Sequence, residues 1–283
     1  MKTRTSALFA AGFLPLTLAL SACGAPEEET AVDTAAEEET PEESGGSVPD
    51  LLSELGESTE DITSYTLDMT LIMDDPEFGE AETNITYEVM DDPEAAQVTI
   101  VIPELGESLR EMAVLGGADP DLTAEELGTS ILIVPAEGPS LVSNHNGLQP
   151  VDTPWARGVQ DTESFAPEEM FDVSALPEIT GAVSEIKQIE ETGTEEISGV
   201  QTTAVEGTLT PEDLEAMGAE RRDSVNQLTN GMTGTINVSL WIADDGFPMR
   251  MDFQGEEADV SIVFSNVGDT SFEMPAEDEI TDL

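Results

Sequence analysis

The chain has 283 residues and carries 62 Asp and Glu against 8 Lys and Arg, a formal charge of −54. Such acidity excludes DNA and RNA as partners, because no basic surface is left over to neutralise phosphates. One histidine and one cysteine exclude a multi-histidine metal site and an intramolecular disulfide.

The first predicted element is a targeting segment. Lys2 and Arg4 form a positive start, and Ala7 to Leu20 is an apolar run broken by Gly12, Pro15 and Thr17, the pattern of a signal-peptide core and too short to remain as a membrane span. It ends in Leu20-Ser21-Ala22-Cys23, which resembles the lipobox of bacterial lipoproteins, whose cysteine receives a diacylglyceryl group before cleavage. Residues 1–22 are therefore expected to be removed and Cys23 to carry the lipid, holding the chain on the extracytoplasmic face of the cell membrane. An ordinary secretory signal is the competing reading. From Cys23 onward, Arg110, Arg157, Lys187, Arg221, Arg222 and Arg250 face all 62 acids, six against 62, or −56. That charge gives no attraction to an anionic bilayer, so attachment falls to acyl chains, of which about two are needed for stable anchoring. The acidity itself reads either as cation binding or as a solvated surface suited to saline surroundings. Asp74-Asp75, Asp91-Asp92 and Asp244-Asp245 are isolated turn pairs without EF-hand spacing.

Residues 23–47 comprise the lipidated cysteine and a Glu, Thr, Ala, Pro and Gly tether with no aromatic or basic residue, a composition that does not fold. As a flexible coil it spans roughly 25–30 Å. The folded part, 48–283, opens with a helix capped at Ser47 and carrying Leu51, Leu52, Leu55 and Ile62 at helical spacing. The period then becomes two. Strands are predicted at 65–73, 85–89 and 98–102, joined through Asp74-Asp75-Pro76 and Asp91-Asp92-Pro93 turns, then at 131–134, 141–144, 183–189 and 200–209. Residues 103–128 give no clear period. Thr210-Pro211-Glu212-Asp213 starts a helix reaching Leu228, followed by strands at 235–243, 247–254 and 258–266, the first two joined by Asp244-Asp245-Gly246. An extended segment, 272–280, closes the chain. About nine to eleven strands with two or three helices predict a mostly β, α+β fold: a curved antiparallel half-open β-barrel with helices covering its concave side.

Alternation nominates the residues that face that concave side: Leu67, Met69, Leu71, Ile85, Tyr87, Val89, Ile100, Ile236, Val238, Leu240, Met251 and Phe253. They line either a ligand cavity or a dry core against the helices. Arg221 shares the stripe of Leu214, Met217, Val225 and Leu228 and is placed at the cavity rim, where it faces an anionic group or pairs with a neighbouring acid. His145, in Ser143-Asn144-His145-Asn146-Gly147, reads as a solvated loop residue. Trp155 caps the barrel edge, and Trp241 anchors the sheet. No Gly-x-Ser-x-Gly elbow, phosphate-cradling loop or metal-ligand set occurs, so no catalytic residue, cofactor or metal is assigned.

Several of these features together resemble a known group. The lipobox and tether, Ser64-Tyr65-Thr66-Leu67, the hairpin Trp241-Ile242-Ala243-Asp244-Asp245-Gly246-Phe247-Pro248 and the ending Met274-Pro275-Ala276-Glu277-Asp278-Glu279-Ile280 are similar to those of the LppX/LprG lipoproteins of actinobacteria, relatives of the LolA/LolB carriers. The resemblance implies a LolA-like half-open barrel around an apolar cavity, and a lipoprotein that carries lipids or other apolar ligands in the cell envelope without covalent catalysis. Its extreme acidity and Glu-rich tether depart from that group. The alternative is an extracytoplasmic sensor or protein-interaction module on the same fold, with an envelope protein as its partner.

Overall fold

The computed structural model describes residues 62–75, 79–117, 121–158, 173, 176–184, 189–229 and 231–283. The signal peptide, the lipobox, the tether and the body of the first helix lie outside the described residues.

Among the described residues twelve strands form one sheet. The first six, β1 (Tyr65–Asp75), β2 (Gly79–Asp91), β3 (Glu94–Val101), β4 (Thr129–Pro135), β5 (Leu141–Ser143) and β6 (Trp155–Arg157), run outward as a meander from β1. The next five, β7 (Glu190–Ile197), β8 (Val200–Leu209), β9 (Ile236–Ala243), β10 (Pro248–Gln254) and β11 (Ala258–Ser265), run back inward until β11 pairs with β1. All these pairings are antiparallel, whereas β12 (Ile280–Asp282) joins the outer edge of β6 in parallel. Among the described residues five α-helices interrupt the strands: α1 (Pro103–Leu115), α2 (Ala124–Leu127), α3 (Leu176–Ser184), α4 (Pro211–Ala216) and α5 (Ala219–Leu228).

The sheet curls strongly. β8 and β11 lie three places apart in strand order, which in a flat sheet is about 14 Å. Yet Ser198, in the turn between β7 and β8, donates its hydroxyl to the Phe264 carbonyl of β11 at 2.9 Å. Ser198 and Gly199 both have positive φ, 51° and 84°, as a two-residue hairpin turn requires. The chain leaves β6 near one edge and enters β7 at the other, and α3 on this crossing packs Leu176, Ile179 and Val183 into the core. The outer strand β7 is exposed from Glu190 to Glu196, and its row of acids blocks edge-to-edge pairing with another sheet.

The mostly β fold and its antiparallel meanders agree with the sequence reading; two local expectations do not, and several elements were not anticipated. Residues 183–189 were expected to form a strand, but Val183 and Ser184 end α3. Leu176, Ile179 and Val183, spaced three and four apart and buried, set a helical period that runs into this segment. The helix from Pro211 is two helices, because Met217 is extended at ψ 153° ahead of Gly218. β6 and β12 are three-residue strands that pair across more than 120 positions, and β7 is too polar to show alternation. Finally, 103–128 is a pair of helices in close approach. A Cβ on Gly106 would meet the Ala124 carbonyl oxygen at 1.7 Å, and one on Gly128 would meet that of Ile102 at 2.3 Å.

Candidate functional site

Residues paired across a sheet project to the same side, and alternate residues along a strand share that side. Leu67 pairs with Tyr87 and Phe264, Met69 with Ile85 and Ile262, and Leu71 with Val260. Val89 lies on the same side as Tyr87, and Ile100 pairs with Ile85. Across the other half, Met251 pairs with Ile262 and Leu240, and Phe253 with Val260 and Val238, with Ile236 two residues on. All twelve nominated residues therefore share one face and belong to, or pack against, one apolar cluster.

Coverage of that face is uneven. Ile236, Val238, Leu240, Met251 and Phe253 are fully buried, together with Leu67 and Tyr87. Met69, Leu71, Ile85, Val89 and Ile100 are half-buried, and Met73 is exposed. At the Tyr65 end of β1 the face closes on aromatic rings: Phe264 meets Phe247 at 5.0 Å and Tyr65 at 6.0 Å, both edge-on, the orientation the ring quadrupoles favour. The other half shares its cluster with Val225 and Leu228 of α5, with Met217 between α4 and α5, and with Met232, whose sulfur would lie 3.3 Å from a Cβ on Gly255 near the Phe253 end of the sheet. The sequence list missed Val98, Val205, Leu209, Val260, Ile262 and Phe264, all of them buried in the same cluster. Their own alternation within the predicted strands was the available signal.

Arg221 is half-buried on α5, and its guanidinium runs along α3: a Cβ on Gly181 would lie 3.4–3.5 Å from it. It stands where two helices meet rather than on the sheet face. Trp241 points to the opposite, outer face. Its indole N–H donates to Glu195 at 2.8 Å, and the Arg250 guanidinium lies 4.6 Å from its ring centre. Arg250 also makes a bidentate pair with Asp252 at 3.0 and 2.7 Å, and Ser261 donates to the same carboxylate. The outer face of β7–β11 is thus tied by a polar and aromatic chain. Trp155 sits in β6, paired with Ser143 and Ile280.

His145 is exposed, its Nδ1 at 3.1 Å from the Ser143 hydroxyl, which also accepts the His145 backbone N–H at 3.3 Å. Among the described residues no group of three or more His, Cys, Asp or Glu is placed to hold a metal ion, and no helix is long and apolar enough to cross a membrane. Among the described residues, Glu126 and Arg157 are displaced from their ordinary values. Backbone and hydroxyl donors of Thr123 hold the Glu126 carboxyl below the usual carboxylate range, helped by nearby His145. Glu277 and then Asp282 hold the Arg157 guanidinium more firmly protonated, clasping the C-terminal strand to β6.

No protein-family model matches the chain, and no curated protein matches it by sequence. Solved structures similar to it include the lipoprotein LppX of Mycobacterium tuberculosis, 18% identical over 79% of this chain and 98% of that one, with a TM-score of 0.42. LprF from Mycobacterium bovis is 14% identical over 81% and 96%, also with a TM-score of 0.42. A LolA superfamily protein from Nitrosomonas europaea is 9% identical over 82% and 96%, with a TM-score of 0.27.

Proposed function

We propose that this chain is a membrane-anchored lipoprotein that binds an acyl lipid or similar apolar ligand on the inner face of its curled sheet and carries it in the cell envelope, without covalent chemistry. The observation that carries this reading is the uneven covering of one continuous apolar face. A sheet serving only as core would be sealed throughout, since exposed apolar area forgoes about 25 cal/mol per Å². Here the stretch around Met69, Leu71, Ile85 and Ile100 is left half-buried and Met73 exposed. Methionines suit such a face, because an unbranched thioether adapts to ligands of different shape. Hydrophobic contact needs no charged group, and the face is apolar apart from Thr83 opposite Leu71 and Ser130 opposite Ile100. Cys23 supplies the anchor, and the acids keep the body soluble.

Binding of a fluorescent fatty acid to delipidated mature protein tests the reading. Wild type is expected to bind it, Leu71→Trp to lose most of that binding with little loss of stability, and the outward Thr70→Val to keep it. A wild type that binds no acyl probe after delipidation would leave the face as a core and the carrier reading without support.

A further inference from the structure

Cys23 is the one cysteine of the chain, and once acylated as proposed it leaves the thioethers of methionine as the oxidisable sulfur. A thioether that meets solvent reacts with peroxides, and the product is a polar sulfoxide in place of an apolar side chain. Where each methionine stands decides what that reaction does.

Met90, Met217, Met232, Met249 and Met251 are buried, out of reach of a dissolved oxidant. Met112 is 58% exposed but belongs to α1, off the sheet, and Met274 is half-buried in the segment after β11. Met69 and Met73 differ from all of these. Both are on β1 and alternate with Leu71, so they share the inner face of the sheet, the first half-buried and the second 37% exposed.

The register explains why Met73 is reachable. It pairs with Ala81 of β2 on one side and Ala258 of β11 on the other, and a methyl group is too short to cover a neighbouring thioether. β3 has ended before this level, since its last pair with β2 is Val101 with Asn84. Met251, on the same face one half away, is fully buried. One apolar face thus presents a reachable sulfur at its less covered end and a sealed one in its covered half.

We infer that Met73, with Met69 next to it along the face, is a site of reversible oxidation by peroxides, and that its conversion to the sulfoxide releases the lipid from the inner face. The release rests on the proposed function. A lone pair of the Met73 Sδ attacks one peroxide oxygen: the S–O bond forms as the O–O bond breaks, and the sulfur gives up an electron pair to the peroxide. With hydrogen peroxide, the departing hydroxide takes the proton of the transferred oxygen and leaves as water. An acyl chain lying over the sulfoxide must strip water from an oxygen for which Ala81 and Ala258 offer no side-chain donor, and this weakens binding. The relation runs both ways, because a seated acyl chain shields the sulfur from the oxidant. The empty protein is oxidised and the loaded one is spared.

Dilute hydrogen peroxide tests this on the mature, acylated and delipidated chain, with and without a saturating fatty acid. Peptide mass spectrometry follows each methionine, and a fluorescent fatty acid reports affinity on the same samples. Met73 is expected to gain oxygen about tenfold or more faster than Met251, and probe affinity to fall about fivefold or more as Met73 is converted. The fatty acid should slow Met73 and leave Met112 unchanged, and a methionine sulfoxide reductase should restore affinity. The double variant Met69→Leu, Met73→Leu conserves side-chain volume and should keep its affinity through the treatment. Affinity that holds constant with Met73 fully oxidised, or that falls equally in the double variant, overturns the inference and leaves the carrier reading standing. Oxidation of Met73 no faster than that of Met251 also overturns it. Selective oxidation of Met73 in a wild type that binds no probe even before treatment upholds the oxidation site and removes the carrier reading beneath it.

Discussion

The two halves of the inner sheet face have the same residue chemistry but different surroundings. On β8–β11, Val205, Leu240, Met251 and Ile262 are fully buried, in one cluster with Leu176, Ile179 and Val183 of α3 and Val225 and Leu228 of α5. On β1–β3, Met69, Leu71, Ile85 and Ile100 alternate just as strictly, yet remain half-buried. Alternation decides which way a side chain points; what lies over it is decided by elements elsewhere in the chain. A core and a binding face are therefore indistinguishable from a strand's own sequence, and they separate only when the covering helices are placed.

Truncation breaks the comparison most directly. Phe253→Ala, in the sealed half, is expected to cost about 3–5 kcal/mol, the usual range for deleting a buried ring. Leu71→Ala, in the less covered half, should cost less, roughly 1–2 kcal/mol, because fewer neighbours lose contact. Chemical denaturation of both variants measures this, and equal losses would mean the two halves are one core. Next in size is Gly106→Ala. Its added carbon cannot coexist with the Ala124 carbonyl at 1.7 Å, so α1 and α2 must part, at a cost of roughly 1–3 kcal/mol by analogy with overpacking. Hydrogen exchange should show that loss confined to α1 and α2, with β8–β11 unaffected.

On the outer face, Arg250→Lys keeps the charge but loses the bidentate geometry toward Asp252 and the planar stacking on Trp241. With Arg250 about a third exposed, a loss of about 0.5–1 kcal/mol is expected, readable as a lower denaturation midpoint. The smallest effect belongs to the capping box of α2. Because the folded Glu126 carboxyl titrates below its ordinary 4.5, its contribution is full above that value and disappears as pH falls through the lowered folded value. Glu126→Gln should thus be slightly less stable than wild type at neutral pH and equal to it in acid, as thermal melts across pH would show.

Long strands with one apolar face were legible in the sequence, as was the turn at Asp244-Asp245-Gly246, where Phe247 donates its amide to Asp245. The twelve nominated residues fall on one face because a period of two is local information. The helical period of Leu176, Ile179 and Val183 ran into a segment read as strand. β7 was hidden because an edge strand exposed along Glu190–Glu196 has no side to hide. The α1–α2 pair gave no period because its close contact is made by Gly106 and Gly128, which carry no side chain, while Leu105 and Leu115 are exposed. Arg221 was placed at a rim from its own helix stripe, without sight of α3 against which it lies.

The most direct test of the central claim is native mass spectrometry of the mature chain purified from membranes, with melting followed on the same sample. The account predicts, beyond the mass of the anchor on Cys23, a second and non-covalent lipid mass that delipidation removes, that a fatty acid restores, and that Leu71→Trp prevents. A single mass unchanged by delipidation, with an identical melting temperature before and after, would contradict it.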